Sequence, residues 1–161
     1  MAGATEPAAQ GAFVAHESSS IVTAILPFAD ISENPISATY ARGIPDELAF
    51  VLMQSPCCTV ISPSFTACLA AQGFGVVAMM KKVGAQIAFE GSARAQGSRL
   101  RITARIVDVT GMQLWVNRIN VEVGVEASFA IEEELAKAVS AGFDVVRSQR
   151  LAFKNDAPSH S

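Results

Sequence analysis

The clearest pattern along the chain is an alternation of apolar and polar residues in its second half. In the segment 99–107 (RLRITARIV) every second residue is apolar, from Leu100 to Ile106. Successive side chains of a strand point to opposite faces, so this pattern predicts a strand with one buried and one solvated face. The segments 86–95 and 113–123 continue the pattern, and glycine-containing turns separate the three. We therefore predict an antiparallel block of three strands at about 86–123.

Two short apolar runs before this block predict buried strands. The run at 21–28 (IVTAILPF) is rich in β-branched residues and is closed by Pro27. The run at 57–62 (CCTVIS) follows a proline. Between them, the segment 30–38 contains Asn34-Pro35 and is predicted to be a loop.

Three further segments have the apolar spacing of helices. One helix is predicted at 44–54, with Pro45 and the acidic pair that follows it in the first turn. A second helical region, 64–83, is interrupted near Gly73 and is expected to form two short pieces. A last helix is predicted with Ser128 as its N-cap. Its expected buried stripe consists of Ile131, Leu135, Ala138, Val139, Gly142 and Val146.

These elements predict an α/β (α+β) fold with the order β-α-β-α-β-β-β-α. The helices are expected to lie mainly on one face of a mixed sheet, where each can bury its apolar stripe. A chain of 161 residues, half of them apolar, has the size of one domain, which we place at 21–150. The ends, 1–20 and 151–161, are small and polar and are predicted to be disordered tails.

Charge and hydropathy restrict the partners of this domain. A net charge of −3 argues against strong binding to a phosphate backbone by the whole domain. No apolar stretch has the length needed to span a bilayer, and the N-terminus lacks the features of a signal peptide. We therefore expect no membrane insertion and a cytoplasmic location for the chain as given. A periplasmic location would follow if the sequence were part of a longer, membrane-tethered protein.

The sequence contains no pattern that indicates catalysis. The two histidines, His16 and His160, fall in the predicted tails, and no phosphate-binding loop is present. The three cysteines lack the spacing of a zinc site and are expected to be small apolar core residues. Glu90 lies in a predicted strand and is expected to pair with an arginine across the sheet. We predict a protein that is not an enzyme and has no cofactor or metal.

The polar face of the strand block is the candidate surface for a partner. Arg99, Arg101 and Arg105 share one face of a strand, and Arg94 and Arg118 join them from neighbouring segments. Such a face is able to bind an acidic protein or a nucleic acid. Aromatic residues do not alternate with these arginines, so stacking on bases has no support and we expect a protein partner, or a small ligand. A solvated outer face without a partner is the simpler alternative.

Several short motifs form a recognisable series along the chain. They are Ile25-Leu26-Pro27-Phe28, Gly43-Ile44 with Asp46-Glu47-Leu48, Phe89-Glu90-Gly91-Ser92, Gly97-Ser98-Arg99-Leu100-Arg101-Ile102-Thr103-Ala104 and Leu114-Trp115-x-x-Arg118. Together they resemble the TolB amino-terminal-like domain over about 21–147. This domain is found in bacterial signalling proteins beside adenylate cyclase catalytic domains, winged-helix DNA-binding domains and tetratricopeptide repeats. The resemblance implies a non-catalytic regulatory or protein-interaction module that acts by binding a partner or a ligand.

The free edge of the predicted sheet supports an alternative function. An antiparallel block with an unpaired edge strand can add a strand from another chain. The chain would then be an envelope or assembly component that oligomerises through its sheet edges. Both functions predict association with a protein, either a different partner or a second copy.

Overall fold

The computed structural model of the protein describes residues 20–124 and 127–156. Its elements are β1 (Ile21–Asp30), α1 (Pro35–Met53), β2 (Cys58–Ile61), α2 (Pro63–Ala71), α3 (Val76–Val83), β3 (Ile87–Gln96), β4 (Arg99–Asp108), β5 (Gln113–Glu122) and α4 (Ala127–Asp156). The predicted fold class and element order are confirmed, and the second helical region is present as two helices. The last three strands match their predicted bounds to within one residue at each end.

The strands form one mixed sheet in the order β2-β1-β3-β4-β5. β1 is parallel to both of its neighbours, and the connections to β2 and β3 carry helices, as parallel crossovers require. The pairs β3–β4 and β4–β5 are antiparallel and form the predicted block. One edge of the sheet is β2, with four residues, and the other is β5, with ten.

The helices cover the two faces of the sheet unequally. The long helices α1 and α4 pack together on one face and bury most of the core there. That cluster includes Ile25, Phe89, Ile102, Leu135 and Val139. The short helices α2 and α3 cover part of the opposite face, in a cluster that includes Ala24, Leu26, Leu69, Met80 and Ala88. This second face remains open to solvent toward the end where β3 turns into β4.

β1 continues through Pro27 to Asp30, so the prediction that Pro27 closes this strand is wrong. Proline has no backbone N–H to donate, and in a central strand it is tolerated at a bulge. The register between β1 and β3 shifts between Ile25 and Phe28, which is such an irregularity. The Ile25 carbonyl accepts a hydrogen bond from the buried hydroxyl of Thr66 on α2. A side chain thus satisfies the backbone beside the proline.

α1 begins at Pro35, inside the segment that was predicted to be a loop. Asn34 has an extended backbone and its Oδ1 accepts a hydrogen bond from the N–H of Ile36 at 2.8 Å, as an N-cap residue does. Pro35 follows at the first helical position, where its missing N–H costs nothing. Pro45 therefore lies buried within the helix, and the prediction that it starts the helix is wrong.

α4 is longer than the predicted last helix. It begins at Ala127, so Ser128 lies inside its first turn and is not the N-cap. It ends at Asp156 and so includes six residues that were assigned to the C-terminal tail. Its predicted stripe is buried except for Ala138, which is half-buried, and Phe143 is buried in addition. The remaining tail residues, 1–19 and 157–161, lie outside the described residues.

Candidate functional site

The antiparallel register brings three of the five predicted arginines together. Arg94 on β3 lies directly opposite Arg101 on β4, and Arg101 lies opposite Asn120 on β5. At the next position on the same face, Arg99 lies opposite Glu122. Directly opposite residues project from the same face of a sheet, so these side chains form one cluster. The cluster occupies the part of the second face that the short helices leave open.

These side chains surround a depression of about 590 Å³, which we term the arginine hollow. Its polar lining consists of Arg94, Gln96, Arg99, Arg101, Asn120 and Glu122. Three arginines against one glutamate leave the hollow with two net positive charges, although the whole chain carries −3. Such a local surplus attracts an acidic group.

The three arginines differ in how they are held. The Nε of Arg101 donates a hydrogen bond to Oδ1 of Asn120 at 2.8 Å. The Nε of Arg99 lies 3.3 Å from Oε1 of Glu122, but both side chains are largely exposed and the pair is weak. Arg94 has no hydrogen-bond or ionic partner among the described residues. Since like charges directly opposite each other repel, an anion between Arg94 and Arg101 would relieve an unfavourable contact.

Arg105 lies on the same face but is already neutralised. It stands opposite Glu90 in the β3–β4 register, and its Nε is 2.5 Å from Oε1 of that residue. Both side chains are half-buried, with 29% and 24% of their surfaces exposed. The prediction that Glu90 pairs with an arginine across the sheet is confirmed. Arg105 therefore contributes to the sheet and does not line the hollow.

Arg118 is also separate from the hollow. It lies opposite Thr103 on the edge strand β5 and is exposed. It lines a different depression, of about 520 Å³, between β5 and α4. The five arginines thus divide into a hollow of three, one internal ion pair and one edge residue.

A further depression, of about 530 Å³, lies at the carboxyl ends of β1 and β2. Here α1 leaves toward one face of the sheet and α2 toward the other. The point where two such helices diverge is a common position for ligand sites in α/β sheets. Its lining is largely apolar, from Phe28 to Ala67, and the charged residues Arg42 and Asp46 lie at its exposed side. Sequence reasoning missed this depression because it depends on which face each helix takes.

The cysteines do not form a site. Cys58 is buried, its Sγ donates a hydrogen bond to Oγ1 of Thr23 at 3.3 Å, and burial raises the pKa of its thiol to about 11. Cys57 is half-buried and Cys68 is exposed. The expected role as an apolar core residue is therefore confirmed for Cys58 and wrong for Cys68.

The described residues include neither a cluster of metal-binding side chains nor a membrane-spanning helix. In that part of the chain, no three His, Cys, Asp or Glu side chains lie close enough together to hold a metal ion. His16 and His160 lie outside it. None of its helices combines the length and the apolar character that are needed to cross a bilayer.

Solved structures with the same fold include three bacterial proteins. The LpoB C-terminal domain from Salmonella enterica matches with a TM-score of 0.52 and 17% identity, over 65% of this chain and 84% of that domain. Lipoprotein GNA1162 from Neisseria meningitidis gives a TM-score of 0.54 at 12% identity, over 74% and 96% of the two chains. TolB from Acinetobacter baumannii gives 0.50 at 14% identity, over 77% of this chain and 28% of TolB.

In sequence, the chain is similar to a protein of Rhizobium meliloti (strain 1021) that carries the provisional name adenylate cyclase 3. The two are 27% identical over 117 residues, which is 72% of this chain and 20% of the relative. The chain thus spans about a fifth of that protein's length. No protein-family model matches the chain. The resemblance to TolB that the motifs predicted is confirmed at the level of the fold, which this chain shares with TolB and with the LpoB C-terminal domain.

Proposed function

We propose that this chain is a non-catalytic interaction domain of a bacterial signalling protein, and that it acts by binding an acidic segment of a partner protein in the arginine hollow. The observation that carries this proposal is the direct juxtaposition of Arg94 and Arg101 with no acidic residue between them. A carboxylate accepts two parallel hydrogen bonds from one guanidinium group, so two acidic side chains suit this pair of arginines. The lining of the hollow is mainly charged and polar, which suits an acidic protein segment better than the apolar small molecules that fill most ligand pockets.

The regulatory part of this proposal rests on the sequence relative. A chain that corresponds to about a fifth of a protein named as a cyclase has the size of an accessory domain beside a larger one. An accessory domain that captures an acidic partner can alter the activity or the assembly of the protein that carries it. For the location of such a protein, we keep the cytoplasm and the periplasm as alternatives, and the lipoprotein name of one structural neighbour favours the periplasm.

A charge-reversal experiment tests the hollow. We would measure the fluorescence anisotropy of a labelled hexaglutamate peptide, with hexaglutamine as the neutral probe, at low and moderate salt. The unmodified domain should bind hexaglutamate only, and the double variant Arg94→Glu/Arg101→Glu should bind it at least about tenfold more weakly. Arg42→Glu is the matched control, because this arginine is exposed on α1 outside the hollow.

Two outcomes would remove the proposal. Equal binding by the domain and the double variant, with unchanged circular dichroism, would show that the hollow does not recognise acidic groups. Turnover in a broad hydrolase screen that persists after removal of residues 1–19 and 157–161 would exclude the non-catalytic function.

A further inference from the structure

β5 is an edge strand without the usual protection against pairing. It is ten residues long, whereas the opposite edge strand, β2, has four. Natural edge strands are usually shortened, interrupted by bulges, or furnished with charged residues, above all lysine, and with proline. β5 has neither lysine nor proline, and its two charged residues, Arg118 and Glu122, have opposite signs. Its register irregularity lies at its start, beside the pairing of Ile106 and Val107. The rest of the strand offers a continuous row of backbone groups.

The β4–β5 register identifies which backbone groups of β5 have no partner strand within residues 20–124 and 127–156. The N–H of Val123 donates to the carbonyl of Ser98 at 2.7 Å, so this pair is one of the hydrogen-bonded pairs of the ladder. Hydrogen-bonded and non-hydrogen-bonded pairs alternate along an antiparallel ladder. The N–H and C=O groups of Arg118, Asn120 and Glu122 therefore point away from β4, toward the open edge.

The side chains along this edge are complementary to themselves. When β5 pairs with an antiparallel copy so that Asn120 meets Asn120 of the partner subunit, Arg118 stands opposite Glu122 of the partner subunit, and the reverse pair forms as well. Opposite charges at facing positions stabilise strand pairing. A register centred on Arg118 would oppose two arginines, and one centred on Ile119 would form no charge pair. Charge thus favours one of the three registers.

The groove beside the edge suits the apolar side chains of such a copy. It separates β5 from α4, and its lining includes Ile119, Val121 and Ala138, all half-buried, with Glu134 and Lys137 on the helix side. In the register centred on Asn120, Ile119 faces Val121 of the partner subunit on the same side of the sheet as this groove. Pairing would therefore bury apolar surface that is half-exposed in a single copy.

We propose that this chain forms a homodimer by antiparallel pairing of β5 with β5 of a second copy, with Asn120 at the two-fold axis. The pairing joins the two sheets into one of ten strands and buries both long edges. It does not use Arg94 or Arg101, but Asn120 and Glu122 take part in it and also line the hollow. The homodimer rests on the open edge of β5, whereas the proposed acidic partner rests on the juxtaposition of Arg94 and Arg101.

Disulfide cross-linking tests the register. We would introduce Asn120→Cys into a Cys57→Ser/Cys68→Ser background and keep the buried Cys58. The proposed register places the two new cysteines with Cα atoms about 5.5 Å apart, within the range of a disulfide. The control Val116→Cys leaves the charge pairs intact and places the two cysteines roughly 27 Å apart, because each lies opposite residue 124 of the other copy. Mild oxidation should cross-link only the first variant, and cross-linking of neither variant, or of both equally, would overturn the register.

A charge swap tests the interaction itself by sedimentation equilibrium over a concentration series. Arg118→Glu and Glu122→Arg should each weaken the dimer by about tenfold, since each single variant opposes like charges. The double variant Arg118→Glu/Glu122→Arg should recover most of the loss. Asn120→Pro removes an N–H that faces the open edge and the acceptor of an exposed hydrogen bond from Arg101, and neither lies in the core, so the variant should fold and be monomeric. A strictly monomeric unmodified chain, or single variants that dimerise as well as it does, would overturn the proposal.

Discussion

The indole ring of Trp115 on β5 lies directly against Gly142 on α4. A Cβ atom placed on Gly142 would lie 2.4 Å from Cε2 of the ring, closer than non-bonded atoms can approach. This contact lets the long helix α4 approach the edge strand closely. The glycine is therefore required by packing, even though glycine disfavours the helix that contains it.

We predict that Gly142→Ala lowers the free energy of unfolding by about 1–2 kcal/mol, since the overpacking outweighs the gain in helix propensity. Trp115 is the single tryptophan, so its fluorescence during urea unfolding reports on this contact. Gly43→Ala is the matched control, because no atom lies within 4 Å of its added Cβ. That change should stabilise α1 by about 0.5–1 kcal/mol. Equal effects of the two substitutions would contradict the steric account.

The two ion pairs of the strand block should differ in strength. Glu90 and Arg105 are half-buried, whereas Arg99 and Glu122 are largely exposed. Double-mutant cycles with alanine should give a coupling of roughly 1–2 kcal/mol for the first pair and below about 0.5 kcal/mol for the second. Raising the salt concentration should reduce the second coupling more, because exposed charges are screened more strongly. Equal couplings would mean that partial burial does not strengthen the internal pair.

The strand block could be predicted from the sequence because its pairing is local. Short turns join β3 to β4 and β4 to β5. Counting from the first turn defines which residues of β3 and β4 face each other, whereas the irregularity beside Ile106 shifts the count by one between β4 and β5. The pairing of Glu90 with an arginine follows from this logic, and the same count places Arg94 opposite Arg101. The alternation of apolar and polar residues does not show how the five arginines divide into separate groups, because that division depends on features such as the exposure of each ion pair.

The parts that could not be predicted depend on distant contacts. The dipeptide Asn34-Pro35 is equally typical of a loop and of a helix start. It starts a helix here because α1 packs against the sheet. Pro27 interrupts a strand in most settings, yet β1 continues through a register irregularity between Ile25 and Phe28, where a hydroxyl from α2 donates to the Ile25 carbonyl. The contact of Trp115 with Gly142 joins two elements whose relative position no local pattern specifies.

The hydroxyl group of Thr66 should stabilise the fold through its hydrogen bond, in addition to the packing of the side chain. It is buried, and it donates to the carbonyl of Ile25 at the bulge of β1. Thr66→Val keeps the shape but leaves this carbonyl without that partner, which should cost about 1–3 kcal/mol in urea unfolding. Thr39→Val is the matched control, because its hydroxyl bonds the carbonyl of Pro35 on the exposed side of α1. The control should change stability by less than about 0.5 kcal/mol, and an equal loss in both variants would argue against a special role at the bulge.

Cys58 should make the fold sensitive to alkali. Burial raises the pKa of its thiol from 9.0 to about 11, since the thiolate is poorly solvated inside the core. Above pH 9 the unfolded chain releases this proton while the folded chain retains it. The stabilisation that comes from the buried, neutral thiol is therefore complete below pH 9 and is lost as the pH approaches 11. The loss should be on the order of 2 kcal/mol. Urea unfolding at pH 7 to 11 should therefore show a steeper decline for the unmodified chain than for Cys58→Ala, with Cys68→Ala, which removes an exposed thiol, as the control. Parallel declines in Cys58→Ala and the unmodified chain would show that this thiol ionises as readily in the folded state as in the unfolded one.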